Sequence, residues 1–161
     1  MSALIGFEAA AYIENPTNNP GRLKTVVLYL KRTEKADFVA PLNIKFYRFD
    51  KENNKPGEEL LKTNLIVKPK NRIYKLNIDV QSYNIPFPID GICIGIELID
   101  PKNESKKHDK IGPSVRYTNS SNKVLTWNNY RNKGWFNGSY YDKIISKNTN
   151  EMIGIKVLME K

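Results

Sequence analysis

The sequence predicts one all-β domain, an antiparallel two-sheet sandwich of the jelly-roll class, galactose-binding-like, with about nine strands. Short apolar or alternating runs recur about every ten residues between turn signals, as in sandwiches and barrels. Helical periodicity is nearly absent from the chain. The 161 residues contain no repeat or linker, which favours a single domain over residues 1–161. Strands without intervening helices pair antiparallel, and this length suits two stacked sheets better than a closed barrel.

The predicted strands cover residues 4–13, 23–32, 42–50, 65–68, 73–78, 91–98, 115–118, 124–128 and 152–159. Turns rich in Pro, Gly and Asn separate them at 15–21, 51–57 and 86–91, because proline cannot donate to a ladder and Asn and Gly accept positive φ. Residues 58–61 are predicted to form one helical turn at most. In the most apolar strand, alternation places Ile92, Ile94, Ile96 and Leu98 on the core face and Cys93, Gly95 and Glu97 on the other face.

The composition is that of a soluble globular protein, with 40% hydrophobic and 27% charged residues. Apolar runs stay well below the roughly 18 residues that span a bilayer. The N-terminus shows no positively charged region, so no signal peptide is predicted, and a strand follows almost at once. We therefore interpret the chain as a module excised from a longer secreted or envelope protein. The single cysteine, Cys93, excludes an internal disulfide and is predicted to be a buried, inert thiol.

A formal charge of +9 raises the question of polyanion binding. Basic residues are concentrated between positions 102 and 133. A polyanion-binding module would need to gather Lys102, Lys106, Lys107, Lys110, Arg131 and Lys133 into one patch. The whole chain is also rich in Asn, Ile and Lys, as an AT-rich genome would produce without selection for a partner. The sequence therefore disfavours nucleic acid as the partner.

Catalytic groups are scarce, and we predict that the protein is not an enzyme. The one histidine, His108, lies in a basic loop, and nucleophile-elbow, phosphate-loop and zinc motifs are missing from the sequence. A carboxylate-based glycoside-active enzyme is the alternative, and it requires two of Glu58, Glu59, Glu97 and Asp100 to face each other within about 10 Å. No cofactor or metal ligand is assigned. Asp residues at strand ends leave room for a structural calcium, although the spaced ligand loop is missing.

An aromatic stretch at residues 127–141 has the most binding potential, because it combines rings with amides and glycines in a connection between late strands. Trp127 lies within a strand and is predicted to be core. Trp135 lies beyond the strand pattern, and its indole is predicted to be exposed and to stack on a ligand. The predicted ligand-binding residues are Trp135, Tyr130, Asn132, Asn137, Tyr140 and Tyr141.

Residues 42–50, 54–61, 64–67, 83–91 and 92–98 resemble a module of Bacteroidetes envelope proteins. That module is found behind carboxypeptidase-regulatory-like β-domains of the kind that also precede TonB-dependent receptors. The resemblance spans residues 42–98, with an extension through Trp127 to the strand at 152–159. It implies a galactose-binding-like jelly roll and a periplasmic or cell-surface location, and it carries no active-site residue over to this chain.

These observations together predict a non-catalytic binding or structural accessory module of a cell-envelope protein. Carbohydrate binding is the leading activity, so a glycan or another envelope protein is the expected partner. A glycoside-active enzyme and a polyanion-binding module are the alternatives. No membrane span is expected, and the default oligomeric state is a monomer.

Overall fold

The structure is a computed structural model that describes residues 5–108, 110–118, 125–137 and 150–160. These residues contain sixteen strand segments. They are β1 (Phe7–Ile13), β2 (Gly21–Lys31), β3 (Phe38–Val39), β4 (Leu42–Asp50), β5 (Lys55–Glu59), β6 (Leu65–Val67), β7 (Tyr74–Asp79), β8 (Pro86–Phe87), β9 (Ile92–Leu98), β10 (Ile111–Gly112), β11 (Ser114–Val115), β12 (Tyr117–Thr118), β13 (Thr126–Tyr130), β14 (Phe136–Asn137), β15 (Asn150–Glu151) and β16 (Ile153–Met159). Two short 3-10 turns occur at Gln81–Tyr83 and Ser105–Lys107. The all-β prediction is confirmed, whereas the jelly-roll topology stays a prediction.

Two larger sheets contain most of these strands. A seven-stranded sheet has the order β14-β13-β1-β9-β4-β5, with β6 also pairing with β4. In the five-stranded sheet, β2 pairs with β11, β16, β7 and β8. Both sheets are antiparallel, as expected, and the two-residue pairing of β10 with β3 is parallel. The main core combines side chains from both sheets, including Leu28 and Leu30 of β2 with Ile44 and Phe46 of β4.

The long strands begin and end close to the predicted residues because their alternation is strong. The strand β4 matches its prediction at both ends, and β9 differs by one residue. Ile92, Ile94 and Ile96 enter the core as predicted. The buried thiol of Cys93 is confirmed, and burial raises its pKa to about 12, which keeps it protonated and unreactive.

The helical turn predicted at residues 58–61 is wrong. Residues Lys55–Glu59 instead form β5, which pairs antiparallel with β4 through Phe49↔Pro56 and Tyr47↔Glu59. This segment contains proline and glycine, so it lacks the alternating apolar pattern by which strands are recognised in a sequence. It becomes a strand because it pairs with the edge of β4. The six strands without a predicted counterpart, β5 among them, are β3, β5, β8, β10, β14 and β15, and five of these are two residues long.

No helix in the described part of the chain is long and apolar enough to cross a membrane.

Candidate functional site

The seven-stranded sheet turns one face away from the main core, and we call it the outer face. Strand alternation and register assign its members: Glu8 of β1 lies beside Glu97 of β9, which lies beside Asn43 of β4. Two residues further along these strands, Gly95 of β9 lies between Ala10 of β1 and Lys45 of β4. Each of three neighbouring apolar strands thus contributes polar or charged side chains to this face, which a purely structural sheet face does not require.

Three charged residues meet on the outer face. The Lys45 ammonium lies 3.0 Å from Glu97 Oε2 and 3.4 Å from Glu8 Oε2, so it bridges the two carboxylates. The Tyr47 hydroxyl donates to Glu8 Oε1 over 2.8 Å. Glu8 is only 3% exposed, whereas Lys45 and Glu97 reach the surface in part. We call Glu8, Lys45, Tyr47 and Glu97 the charged cluster.

Burial and opposite charge compete in setting the pKa values of this cluster. Burial raises the pKa of Glu8 above its ordinary value, although the Lys45 ammonium and the Tyr47 hydroxyl counteract part of the effect. Burial alone would lower the pKa of Lys45, yet the carboxylates of Glu8 and Glu97 together raise it. Burial and the neighbouring Glu8 raise the pKa of Tyr47, so its hydroxyl remains a donor. The cluster therefore holds one ammonium between two carboxylates.

Gly95 makes room for Glu8. A Cβ at position 95 would overlap Glu8 Oε1 and lie 3.1 Å from Tyr47 Cε2, so any larger residue would displace the buried carboxylate. The sheet therefore admits the Glu8 side chain at the one cross-strand position that lacks a side chain of its own.

Amides extend the charged cluster. Asn43 Nδ2 donates to Asn64 Oδ1 over 3.2 Å and approaches Glu97 Oε2 at 3.5 Å, and Asn64 is exposed. Asn129 lies beside Glu8 in the register of β13 and β1. Its buried Oδ1 has no hydrogen-bond partner among the described residues. Buried acceptors without a partner are rare in native proteins, so Asn129 Oδ1 is an unusual feature of this face.

Aromatic rings cover the rest of the outer face. Tyr12 and Phe49 stack with ring centroids 4.2 Å apart, and Phe49 contacts Trp127 at 5.9 Å. Trp127 is 3% exposed and donates from Nε1 to the carbonyl of Asn54 over 2.9 Å, so its prediction as core is confirmed. At this end of the outer face, the aromatic rings pack against each other and cover the sheet.

Trp135 packs at the other side of the face, against the charged cluster. Its ring meets the Tyr47 ring edge-on with centroids 5.3 Å apart. Tyr47 lies on β4, three strand spacings or about 14 Å from β13, so the indole must reach across the sheet from the connection between β13 and β14. The indole is partly buried, not exposed as predicted, because the connection folds over the sheet and does not project into solvent.

The other predicted site residues lie in different parts of the structure. Asn137 shares the outer face, since it lies beside Trp127 in the register of β14 and β13. Tyr130 alternates to the opposite face, where the Arg131 guanidinium lies 5.1 Å from its ring centroid. Asn132 is exposed in a turn with φ of 57°. Tyr140 and Tyr141 lie outside the described residues, so their predicted role stays a prediction.

Glu8 and Lys45 were missed by sequence reasoning. Their signal was a charged residue within each of three mainly apolar segments, two of them acidic (Glu8 and Glu97) and one basic (Lys45). Of the carboxylates considered from sequence, Glu97 joins the charged cluster and Glu59 lies beside Tyr47 in register. Glu58 pairs with Arg48 at the surface, and Asp100 caps a turn by accepting from the backbone of Glu104 and Ser105. No group of three or more His, Cys, Asp or Glu side chains suited to a metal ion occurs within the described ranges.

A second buried carboxyl lies away from the outer face, on β15. Glu151 pairs with Tyr117 across β12 and β15, and its buried Oε2 lacks a hydrogen-bond partner among the described residues. Burial raises the pKa of Glu151 to about 8, although the hydrogen bond with Tyr117 opposes the shift. The folded protein thus holds this carboxyl in its protonated form at neutral pH.

This shift predicts a pH-dependent stability. Because the folded-state pKa is raised, the contribution of Glu151 is fully present below its ordinary value of 4.5 and is lost as pH rises through about 8. Allowing for its partial exposure, we expect unfolding free energy to fall by about 2 kcal/mol over this window. Urea unfolding near pH 5 and near pH 9 measures it. Glu151→Gln should reduce the slope, and the exposed Glu52→Gln should keep it; equal slopes in both variants would contradict the assignment.

Comparison with known proteins gives a structural likeness but no sequence relative. Neither a family model nor a curated protein matches the sequence. The chain is similar to a solved structure of the cysteine protease and lectin-like domains of a surface layer associated protein of Clostridium difficile, with a TM-score of 0.58 and 11% identity. The likeness covers 96% of this chain and 32% of that chain. At this identity the comparison shows a shared fold alone.

Proposed function

We propose that this protein is a non-catalytic, jelly-roll accessory module of a cell-envelope protein and that it binds a glycan on its outer face. The observation that carries the proposal is the position of Trp135, whose partly exposed indole lies edge-on against Tyr47 of the charged cluster, in which Lys45 and Glu97 are also partly exposed. A partly exposed indole next to fixed donors and acceptors is the combination that saccharides require.

A sugar ring offers an apolar face of C–H groups and a rim of hydroxyls. The indole would take the apolar face, since aromatic rings present a large, rigid surface at little entropic cost. The hydroxyls would donate to Glu97 and accept from Lys45, and the amides of Asn64 and Asn137 can do both.

The proposal of a non-catalytic module is supported by the state of the two neighbouring carboxylates. Glycoside hydrolysis needs one carboxyl to protonate the leaving group and another to attack or to activate water, both reaching the bond. Glu8 is nearly inaccessible, and Glu8 and Glu97 are both bound to the Lys45 ammonium. These ion pairs hold the three side chains in place on the sheet. The partly exposed Glu97 and Lys45 can then contact a ligand.

The fold likeness is compatible with this proposal. The matched protein is described as surface layer associated and includes a lectin-like domain. An envelope location and sugar recognition then agree with the resemblance found in the sequence.

The test compares two aromatic neighbours. On an array of neutral and acidic oligosaccharides, the protein should bind a defined subset, and Trp135→Ala should weaken the tightest interaction by at least about tenfold, as truncation of a central aromatic anchor does. Because the indole is only partly buried, the unfolding free energy should fall by only about 1–2 kcal/mol. Isothermal titration calorimetry and urea unfolding measure the two effects.

Phe136→Ala is the matched control, since Phe136 is 43% exposed and alternates to the opposite face of β14. It should leave glycan affinity unchanged. Equal losses in the two variants, or full binding by Trp135→Ala, would remove Trp135 from the site.

A further inference from the structure

A second candidate site lies at one end of the molecule, on the other side of β4 from the charged cluster. Arg48 of β4 is in register with Ile92 and alternates away from the outer face. With Arg22 of β2 and Asn84 it lines an open groove of about 500 Å³. A neighbouring groove of about 400 Å³ shares Asn84 and continues along Asp79, Gln81 and Ser82. The two grooves meet at Asn84, with two guanidinium groups lining the first and Asp79, Gln81 and Ser82 lining the second.

The two guanidinium groups are available to a ligand. Arg22 Nε lies 3.8 Å from Glu160 Oε1, and Arg48 Nε lies 3.9 Å from Glu58 Oε2. Both distances exceed that of a hydrogen bond, and both arginine side chains are more than half exposed, so these ion pairs contribute little. A ligand carboxylate could form two parallel N–H···O bonds with either guanidinium group, which is a stronger interaction than the present ion pairs. Glu160 and Glu58 already lie near these guanidinium groups, so both positions accommodate a carboxylate.

Asn84 lies where the two grooves meet. It follows the 3-10 turn with φ of 51°, and its Oδ1 accepts from Arg22 Nη1 over 3.3 Å. That contact orients the amide and leaves its NH₂ group to donate toward the grooves. The hydroxyl of Ser82 and the amide of Gln81 beyond it can exchange hydrogen bonds with ligand hydroxyls.

The walls of the larger groove argue against an extended peptide. Three of its lining residues, Pro20, Pro86 and Pro88, lack a backbone N–H and cannot extend a ladder to an added strand. Their rings and the exposed side chain of Ile89 instead form an apolar surface. A sugar ring can rest its C–H face on such a surface while its carboxylate meets a guanidinium.

We propose that this arginine groove, formed by Arg22, Arg48, Asn84 and the proline wall, binds the uronic acid residues of an acidic glycan. One carboxylate engages Arg48 or Arg22, and the following sugar extends past Asn84 toward Ser82. The net positive charge of the chain adds long-range attraction for such a polymer. The site is independent of Trp135, so it can be present or absent whatever the outer face binds.

The test uses tetragalacturonate and its fully methyl-esterified form, which share one backbone and differ in charge. Calorimetry at low ionic strength should show binding of the acid form only. Arg48→Gln and Arg22→Gln should each weaken it by about tenfold, and Arg32→Gln, which removes an exposed arginine elsewhere, should not. Glu160→Gln should tighten binding by about threefold because it removes a competing carboxylate.

Equal affinity for the acid and the ester, or equal weakening by Arg32→Gln, would overturn the proposal. A glutamate-rich peptide that binds as tightly as tetragalacturonate would overturn the assignment to sugar acids. Trp135→Ala should leave tetragalacturonate binding at the arginine groove unchanged, which separates this result from the outer-face site.

Discussion

Replacing Lys45 with methionine is expected to lower the unfolding free energy by about 3–5 kcal/mol at neutral pH. The substitution keeps the volume of the side chain but leaves the carboxylates of Glu8 and Glu97 beside each other without their shared ammonium. The loss is this large because the buried Glu8 carboxylate keeps the Tyr47 hydroxyl but loses its opposite charge and then lies beside the like charge of Glu97. Urea or guanidinium unfolding measures the loss.

The loss in Lys45→Met should depend on pH. Burial already raises the pKa of Glu8, and removal of the ammonium raises it further. A carboxyl with a raised folded-state pKa destabilises the fold above that pKa and not below its ordinary value of 4.5. The deficit should therefore shrink as pH falls toward that value, and Glu8→Gln in the same chain should restore part of it.

Lys24→Met provides the control for this experiment. Lys24 is exposed on β2, so its replacement should change the unfolding free energy by no more than about 0.5 kcal/mol. A Lys45→Met protein as stable as the Lys24→Met protein at neutral pH would show that the charged cluster does not hold the outer face together.

The second large effect is expected for Gly95→Ala, with a loss of about 3 kcal/mol. The new methyl group would occupy the space of Glu8 Oε1 and press on the Tyr47 ring, so Glu8 must leave its hydrogen bond and the ammonium. Unfolding in urea measures this loss. Combining Gly95→Ala with Glu8→Ala should recover the part of the stability loss that comes from steric overlap, because the carboxylate is then absent.

Gly154→Ala is the matched substitution for Gly95→Ala, since it also lies on a strand. Its added Cβ would meet Val27 Cβ at 3.6 Å, an ordinary contact. We expect it to be neutral or to stabilise slightly by restricting the unfolded chain. Similar stabilities for the two variants would contradict the placement of Glu8 over Gly95.

Much of the fold could be predicted from alternation because the strands that build the core are long. In β4 and β9, apolar residues at every second position indicate which face packs on the core. The short strands could not be found in this way. Two residues such as Phe136 and Asn137 carry no period, and only their pairing with β13 makes them a strand.

The outer face was harder to predict for a different reason. Trp135 could be identified by composition, but its partner Tyr47 lies on β4, far along the chain. The charged cluster joins Glu8 to Lys45 and Tyr47 across separations of 37 and 39 residues. Those contacts depend on β1 lying between β13 and β9, and a single sequence does not specify this strand order.

The most direct test of glycan binding on the outer face uses the indole N–H signals of the two tryptophans in the chain. The oligosaccharide that binds most tightly on the array is titrated into nitrogen-15-labelled protein. Trp135 should shift, together with the backbone amides of Lys45 and Glu97. Trp127 should stay in place, because its N–H is buried and bonded to the carbonyl of Asn54. A shift of Trp127 with Trp135 unmoved, or shifts confined to residues away from the outer face, would contradict the proposed site.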